Sequence, residues 1–194
     1  TAARSLDNKA THALTNSAPS HRELSSHQLR TLINASNLKG KQLIGLLLSG
    51  VSINEAAMLR PNQIDLEAAT INLDGTSPRT IPLSKSLKSL LAESDGHPVW
   101  SPGDAGTCID LSAALVCAAV DSGLPDPEEI TADALRHSYI TYLVRQGLRL
   151  SDLEQITGHL EPSVISSYSA YSPPQQGRHI SDIELTHPAL INTV

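Results

Sequence analysis

Phenylalanine is absent from these 194 residues, tryptophan occurs once, and aromatic residues make up 3% of the chain. The hydrophobic core must therefore be built from Leu, Ile, Val and Ala, and apolar residues reach 40%, which is enough for one domain. Apolar runs of about eighteen residues and a secretory signal pattern are also missing. These absences exclude a membrane-spanning protein by composition and predict a soluble, cytoplasmic one.

Cysteine is scarce as well. Cys108 and Cys117 lie nine residues apart, outside the spacings typical of zinc sites and redox motifs. The eight histidines show no i, i+4 pair beside a glutamate, so no metal centre is expected. A phosphate-binding glycine loop and a complete nucleophile elbow are also missing. Metalloenzymes, P-loop enzymes and serine hydrolases are therefore disfavoured.

Positive charge is in short supply, with 14 Lys and Arg against 20 Asp and Glu and a net charge of −6. Proteins that bind duplex DNA usually present a basic surface, because neutralising phosphates releases counterions and supplies most of the nonspecific affinity. The balance argues against strong autonomous DNA binding unless the basic residues share one face.

The residues that are present form one chemical pattern, between Thr131 and Ser172. Thr131 is a suitable N-cap for a helix over about 132–146, where apolar residues recur at helical spacing. That helix carries Arg136 and His137. His137 is expected to be packed or hydrogen-bonded rather than catalytic.

Two shorter helices are predicted to follow. Ser151 and Glu154 have the spacing of a capping box, and Gly158 is suited to end that helix. His159 then lies just past a helix end, where its side chain can point into a cleft. The third helix carries Tyr168 near its end.

The order Ala-Leu-Arg136-His-Ser, Thr-Gly-His159, and Tyr168 nine residues later resembles the C-terminal catalytic domain of the tyrosine recombinases, the phage integrase family. Upstream, the segment 46–73 resembles the family's first arginine box. The resemblance covers roughly residues 24–172.

The predicted fold is mainly α with a small three-stranded antiparallel β-sheet (α+β), like the tyrosine recombinase catalytic domain. Alternating β-branched segments separated by turn signals predict strands at 64–66, 70–73 and 79–83. Capping boxes at Ser25 and Ser52 predict two helix starts, and an Ala- and Val-rich segment at 110–123 predicts a buried helix with Cys117 on its apolar face.

The resemblance implies a reaction in which a tyrosine attacks a DNA phosphodiester and two arginines hold the nonbridging oxygens. The covalent phosphotyrosyl link conserves the bond energy until a 5′ hydroxyl attacks it. Carried over, Tyr168 is the nucleophile, Arg136 clamps the phosphate, and His159 donates a hydrogen bond to it or assists proton transfer. The implied partner is double-stranded DNA bound by a homo-oligomer, with no cofactor, metal, membrane or small-molecule substrate.

Three positions depart from the family pattern. Ser52 stands where the first arginine is expected, Asp74 where the hairpin lysine is expected, and Asp133 where the first histidine is expected. Losing one preorganised donor to a transition-state oxyanion typically costs about a hundred- to a thousand-fold in rate. Strand cleavage is therefore expected to be impaired, unless Arg60, Arg79 or a neighbouring chain supplies the missing charge.

Ser52 and Asp133 also have structural interpretations, as a helix cap and as a first-turn carboxylate that favours the positive end of the helix dipole. The alternative function is a catalytically inactive integrase homologue that serves as a DNA-binding or protein-assembly module. A product of a decaying mobile element is a third interpretation, which the sequence does not separate from the second.

The domain prediction has three parts: a linker or disordered N-terminal segment over 1–22, an integrase-like catalytic domain over 23–172, and a tail over 173–194 for which the family suggests docking on a partner. The candidate DNA-contacting residues are the basic side chains Lys39, Lys41, Arg60, Arg79 and Arg145.

Overall fold

The computed structural model describes residues 21–103, 105–174 and 177–191. The predicted N-terminal linker therefore lies outside the described residues except for its last two positions. The α-helices within those ranges are α1 (Ser26–Ala35), α2 (Leu38–Leu47), α3 (Ile53–Met58), α4 (Lys85–Ala92), α5 (Ala105–Asp121), α6 (Ala132–Arg145), α7 (Glu154–Thr157) and α8 (Pro162–Ser167). Short 3₁₀ helices lie at Pro61–Gln63, Pro127–Glu129, Leu150–Asp152, Tyr168–Tyr171, Ile180–Asp182 and Pro188–Leu190.

The sheet has three strands, β1 (Ile64–Asp65), β2 (Thr70–Leu73) and β3 (Arg79–Pro82), in the order β1-β2-β3 and all antiparallel. Ile71 pairs with Ile81, and both side chains are buried on the same face. This arrangement of helices with one small antiparallel sheet confirms the predicted fold class.

Local capping signals decide where several helices begin. The capping boxes at Ser25 and Ser52 both form, and the Thr131 side chain accepts a hydrogen bond from the Ala134 amide at the start of α6. These caps satisfy amide groups that a helix N-terminus leaves without intrahelical partners. The predicted starts of α1, α3 and α6 are confirmed.

Helix α2 lies at the centre of the core and contacts α1, α3, α4, α5 and α6. Its Leu43, Ile44, Leu46 and Leu47 are fully buried. The buried Gln42 amide donates to the Leu90 carbonyl and accepts from the Val99 amide, so a polar group in the core has its partners.

Helix α5 differs from its prediction. It begins at Ala105 rather than near residue 110, and one of its faces is open to solvent. Ile109 is 68% exposed, Val116 52% and Val120 60%, and Cys117 is exposed with them. The prediction that Cys117 sits on a buried face was wrong, because α5 is apolar nearly all round and such a helix carries no signal for which face packs inward.

The predicted capping box of Ser151 and Glu154 was also wrong. Helix α7 begins after a 3₁₀ turn, with Leu153 at its N-cap and no side-chain cap. The Ser151 hydroxyl donates to Asp152, while the Glu154 carboxylate accepts the Leu160 amide at 2.9 Å. Glu154 therefore stabilises the loop after α7 instead of the helix start.

The C-terminal segment 177–191 packs against its own chain. The hydroxyl of Tyr139 donates to the Leu185 carbonyl at 3.0 Å, and Arg30 donates to the Pro188 carbonyl at 2.8 Å. Docking of this tail on a partner stays a prediction. Among the helices that the structure describes, none has both the length and the apolar character needed to cross a bilayer.

Candidate active site

Helix α6 presents Arg136 toward the C-terminal end of α7. One terminal nitrogen of Arg136 donates to the Thr157 carbonyl, whereas its buried Nε has no hydrogen-bond partner among the described residues. Burial lowers the pKa of Arg136, the nearby Glu55 charge opposes that shift, and the Arg79 charge adds to it. An arginine stays protonated at physiological pH, so the site holds a half-buried cation with a donor to spare.

Tyr168 and His137 form a buried pair. The Tyr168 hydroxyl lies 3.0 Å from Nδ1 of His137, and the two residues are 3% and 2% exposed. Burial raises the pKa of Tyr168 to about 12, against the opposing charge of Arg136. Burial lowers the pKa of His137. The phenol is thus neutral and shielded from solvent at physiological pH. The expectation that His137 is packed or hydrogen-bonded is confirmed, and its noncatalytic role stays a prediction.

His159 faces solvent rather than this pair. Its side chain is 67% exposed, with Nδ1 2.9 Å from a Glu154 oxygen and Nε2 3.9 Å from a Glu161 oxygen. Its backbone amide donates to the Ser77 hydroxyl at 3.0 Å. No hydrogen bond among the described residues joins the His159 side chain to Arg136 or Tyr168. The structure therefore does not place all three predicted catalytic groups in direct contact.

Arg79 lies beside this centre on β3. It makes a bidentate ion pair with Glu55, with nitrogen–oxygen distances of 2.5 and 2.9 Å, and its side chain is 5% exposed. Burial alone would raise the pKa of Glu55, but the hydrogen bonds from Arg79 and the Ser52 amide, with the Arg79 charge, lower it below its usual value. The carboxylate is ionised and neutralises Arg79.

Sequence reasoning treated Glu55 only as a capping partner and missed this ion pair. One signal was available. Arg79 and the buried Ile81 are two residues apart on one strand and so point to the same face, and a charge on an inward face needs a partner.

Known proteins with similar sequences are recombinases and integrases. No protein-family model matches the chain. The tyrosine recombinase XerC of Brucella suis biovar 1 (strain 1330) is 27% identical over 154 residues, which cover 72% of this chain and 47% of that protein. The integrase of Escherichia phage 186 is 24% identical over 143 residues, covering 73% of this chain and 39% of that protein. The chain thus spans about half the length, or less, of these curated relatives.

Solved structures agree with the sequence relatives. The XerA recombinase has a TM-score of 0.64 at 18% identity, covering 76% of this chain and 60% of that one. The XerH site-specific recombinase, bound to its difH substrate in a pre-cleavage complex, has a TM-score of 0.63 at 22% identity, covering 79% of this chain and 51% of that one. In sequence the chain is similar to tyrosine recombinases and phage integrases. The fold is that of the family's catalytic domain.

The three departures from the tyrosine recombinase pattern have visible structural roles. The Ser52 hydroxyl donates to Glu55 at 2.9 Å, and the Ser52 amide donates to the same carboxylate at 2.8 Å. Asp74 is exposed and accepts from Gln63 at 3.1 Å. Asp133 is exposed in the first turn of α6, where its charge raises the pKa values of Arg136 and Tyr168. Two of the three positions thus carry carboxylates, Asp74 and Asp133, and their assignment to catalytic positions of the family stays a prediction.

The candidate DNA-contacting residues differ in how much free charge they offer. Arg145 makes a bidentate ion pair with Glu23 and lies 5.5 Å over the Tyr171 ring. Like Arg79, it is therefore paired with a carboxylate. Arg60 is exposed on the wall of a cavity of about 370 Å³ between α3 and the β2–β3 hairpin, which Asp74 also lines. Lys39 and Lys41 lie partly buried on α2. DNA contact by each of these stays a prediction.

Proposed function

We propose that this chain acts in site-specific DNA recombination as a DNA-binding domain of the tyrosine recombinase type, with impaired strand cleavage. Two findings support the DNA partner: the relatives are recombinases and integrases, and the XerH site-specific recombinase is bound to its difH substrate in a pre-cleavage complex. The half-buried Arg136, with its unpartnered Nε, is a suitable ligand for one phosphate oxygen.

The single observation that carries the impairment is the pairing of Arg79 with Glu55. Ser52 occupies the position at the start of α3 where the family's first arginine is expected. The neighbouring Arg79 is already neutralised by the Glu55 carboxylate. Arg136 is thus the one cation of this cluster without a carboxylate hydrogen-bonded to it among the described residues. A pentavalent phosphorane held by one guanidinium instead of two loses about 3 to 4 kcal/mol of transition-state stabilisation.

Residual cleavage would follow the family's two steps. The Tyr168 oxygen forms a bond to phosphorus and gives up its proton, while the 5′ oxygen leaves and takes up a proton. The hydroxyl must first leave His137, because in its present position it is buried. The 5′ hydroxyl of a second strand reverses the step and frees the tyrosine.

The buried position of Tyr168 favours a second candidate, a noncatalytic DNA-binding or assembly module that has kept the fold. The two candidates share DNA binding and differ in whether a covalent complex forms. DNA binding through phosphates predicts an affinity that falls steeply with salt in both cases.

A nicked suicide substrate separates the two. We expect a slow, low-yield covalent protein–DNA complex that is lost in Tyr168→Phe and retained in Tyr171→Phe, the matched control three residues away. Absence of any complex, with salt-dependent binding intact, would establish the noncatalytic module. Binding that does not change between about 50 and 200 mM salt would contradict a DNA partner and point to a protein partner.

A further inference from the structure

The five N–H groups of the Arg79 guanidinium are all in use. Nε donates to the Ile156 carbonyl at 2.7 Å, and the remaining donors reach Glu55 twice, the Ser77 carbonyl at 3.2 Å and the Gly50 carbonyl at 3.2 Å. A guanidinium has five donors and no acceptor, so none is left for a phosphate. Arg79 could clamp DNA only by leaving Glu55, which would strand a half-buried carboxylate.

The Arg79 guanidinium also binds the end of α7, the segment that contacts Arg136 and directly precedes His159. Arg79 binds the carbonyl of Ile156, and Arg136 binds the carbonyl of the next residue, Thr157. Two cations therefore meet consecutive carbonyls at the C-terminal end of α7. Cations are favoured at that end of a helix, where the last carbonyls lack intrahelical partners.

Gly158 allows Arg79 to approach the backbone at the end of α7 closely. Its φ is +72°, and a Cβ built on it would lie 2.6 Å from Nη1 of Arg79. The next residue, His159, donates its backbone amide to the side chain of Ser77, whose carbonyl accepts from Arg79. Arg79 thus ties the β2–β3 hairpin, the start of α3 and the end of α7 together around one planar group.

We infer that Arg79 is a positioning residue, which fixes the end of α7 and through it the guanidinium of Arg136 and the backbone of His159, and is not a phosphate ligand. The inference deepens the proposed function, on which its DNA-related part rests, but the positioning of Arg136 is testable without DNA. The property required at position 79 is therefore the planar set of N–H donors of arginine, and not its positive charge alone.

The deciding measurement is the ¹H–¹⁵N resonance of the Arg136 Nε–H in the full chain. We expect Arg79→Lys to shift this resonance and to speed its exchange with water by about tenfold or more, because lysine keeps the charge but cannot bridge these acceptors. Arg30→Lys is the matched control, since Arg30 makes a single backbone hydrogen bond to Pro188 outside the site. An unchanged Arg136 resonance in folded Arg79→Lys would overturn the inference.

A double variant covers the case in which Arg79→Lys fails to fold. Glu55→Gln with Arg79→Met removes both charges together and leaves no unpaired buried ion. Circular dichroism reports whether the fold is kept. The same displacement of the Arg136 resonance is expected, and its absence in the folded double variant would count against positioning.

Salt dependence of DNA affinity gives the second readout. Arg136→Gln is expected to reduce the slope of log K against log salt by about 0.9, as for one lost phosphate contact, and adding the charge-neutral pair Glu55→Gln and Arg79→Met to that variant is expected to reduce it no further. A second reduction of about 0.9 in the triple variant would make Arg79 a direct phosphate ligand. If the wild-type chain shows no DNA binding at all, the proposed function fails, while the Arg136 resonance still decides the positioning role.

Discussion

The Tyr168 hydroxyl lies 3.0 Å from Nδ1 of His137, and both side chains are almost completely buried. The residue expected to attack DNA is therefore held inside the domain by its neighbour on α6. His137 adjoins Arg136 in the sequence, so the helix that carries the proposed phosphate ligand also holds the proposed nucleophile in its buried position.

Titration of the phenols tests this arrangement. The difference between the alkaline absorbance titrations of the wild type and Tyr168→Phe should show one phenol with a midpoint of about 12, because burial disfavours the phenolate. Since the folded-state pKa lies above the ordinary value of about 10, this group stabilises the fold below pH 10 and loses that contribution as the pH rises toward 12. A midpoint near 10 would contradict a buried Tyr168.

Acid should destabilise the protein through His187. This residue is 3% exposed, and its Nδ1 accepts a hydrogen bond from the Ala189 amide at 3.1 Å, which requires the neutral ring. Burial, together with the Arg30 charge, lowers its pKa to about 4. Because the folded-state pKa is below the unfolded value, the unfolded chain binds the proton first, and up to about 3 kcal/mol of stability is lost as pH falls from 6.5 to 4.

Urea unfolding at pH 7 and pH 5 measures this loss, with His187→Asn as the matched variant. The asparagine oxygen can still accept the Ala189 amide but does not titrate. The difference in unfolding free energy between the two pH values should therefore be smaller in His187→Asn. Identical pH dependence in both proteins would remove His187 as the cause.

Ser52→Arg should lower stability and raise covalent trapping. The serine caps α3, and losing an N-cap costs about 1 kcal/mol. The new guanidinium restores a cation near the position where the family has its first arginine. Ser52→Ala loses the same cap without adding charge, so both variants should melt earlier, while the increase in trapped complex should be confined to Ser52→Arg. No gain in a folded Ser52→Arg would mean that Ser52 is not the damaging departure.

Gly158→Ala should be much more costly than Gly123→Ala. Both glycines have positive φ, +72° and +65°. A Cβ at Gly158 would collide with Arg79, whereas nothing lies within 4 Å of one at Gly123. We expect losses of about 3 kcal/mol or more for Gly158→Ala and about 1 kcal/mol for Gly123→Ala in chemical denaturation. Equal losses would show that the Arg79 guanidinium is free to move.

The sequence predicted those features of the fold whose signals come from residues close together in the chain. Capping side chains lie three residues from the amides they bind, which is why Ser25, Ser52 and Thr131 predicted the starts of their helices. The order and spacing of Arg136, His159 and Tyr168 predicted the family. Alternating β-branched segments predicted the strands of the sheet.

Only the tertiary structure decided how the charges in the site are paired. Glu55 and Arg79 are 24 residues apart, and His137 and Tyr168 are 31 apart, so no periodicity links them. Packing brings each pair together out of water, and there the energy of a charge or hydroxyl depends on its immediate partners. Which arginine is neutralised, and where the tyrosine hydroxyl lies, therefore follow from the fold and not from the spacing of the motif.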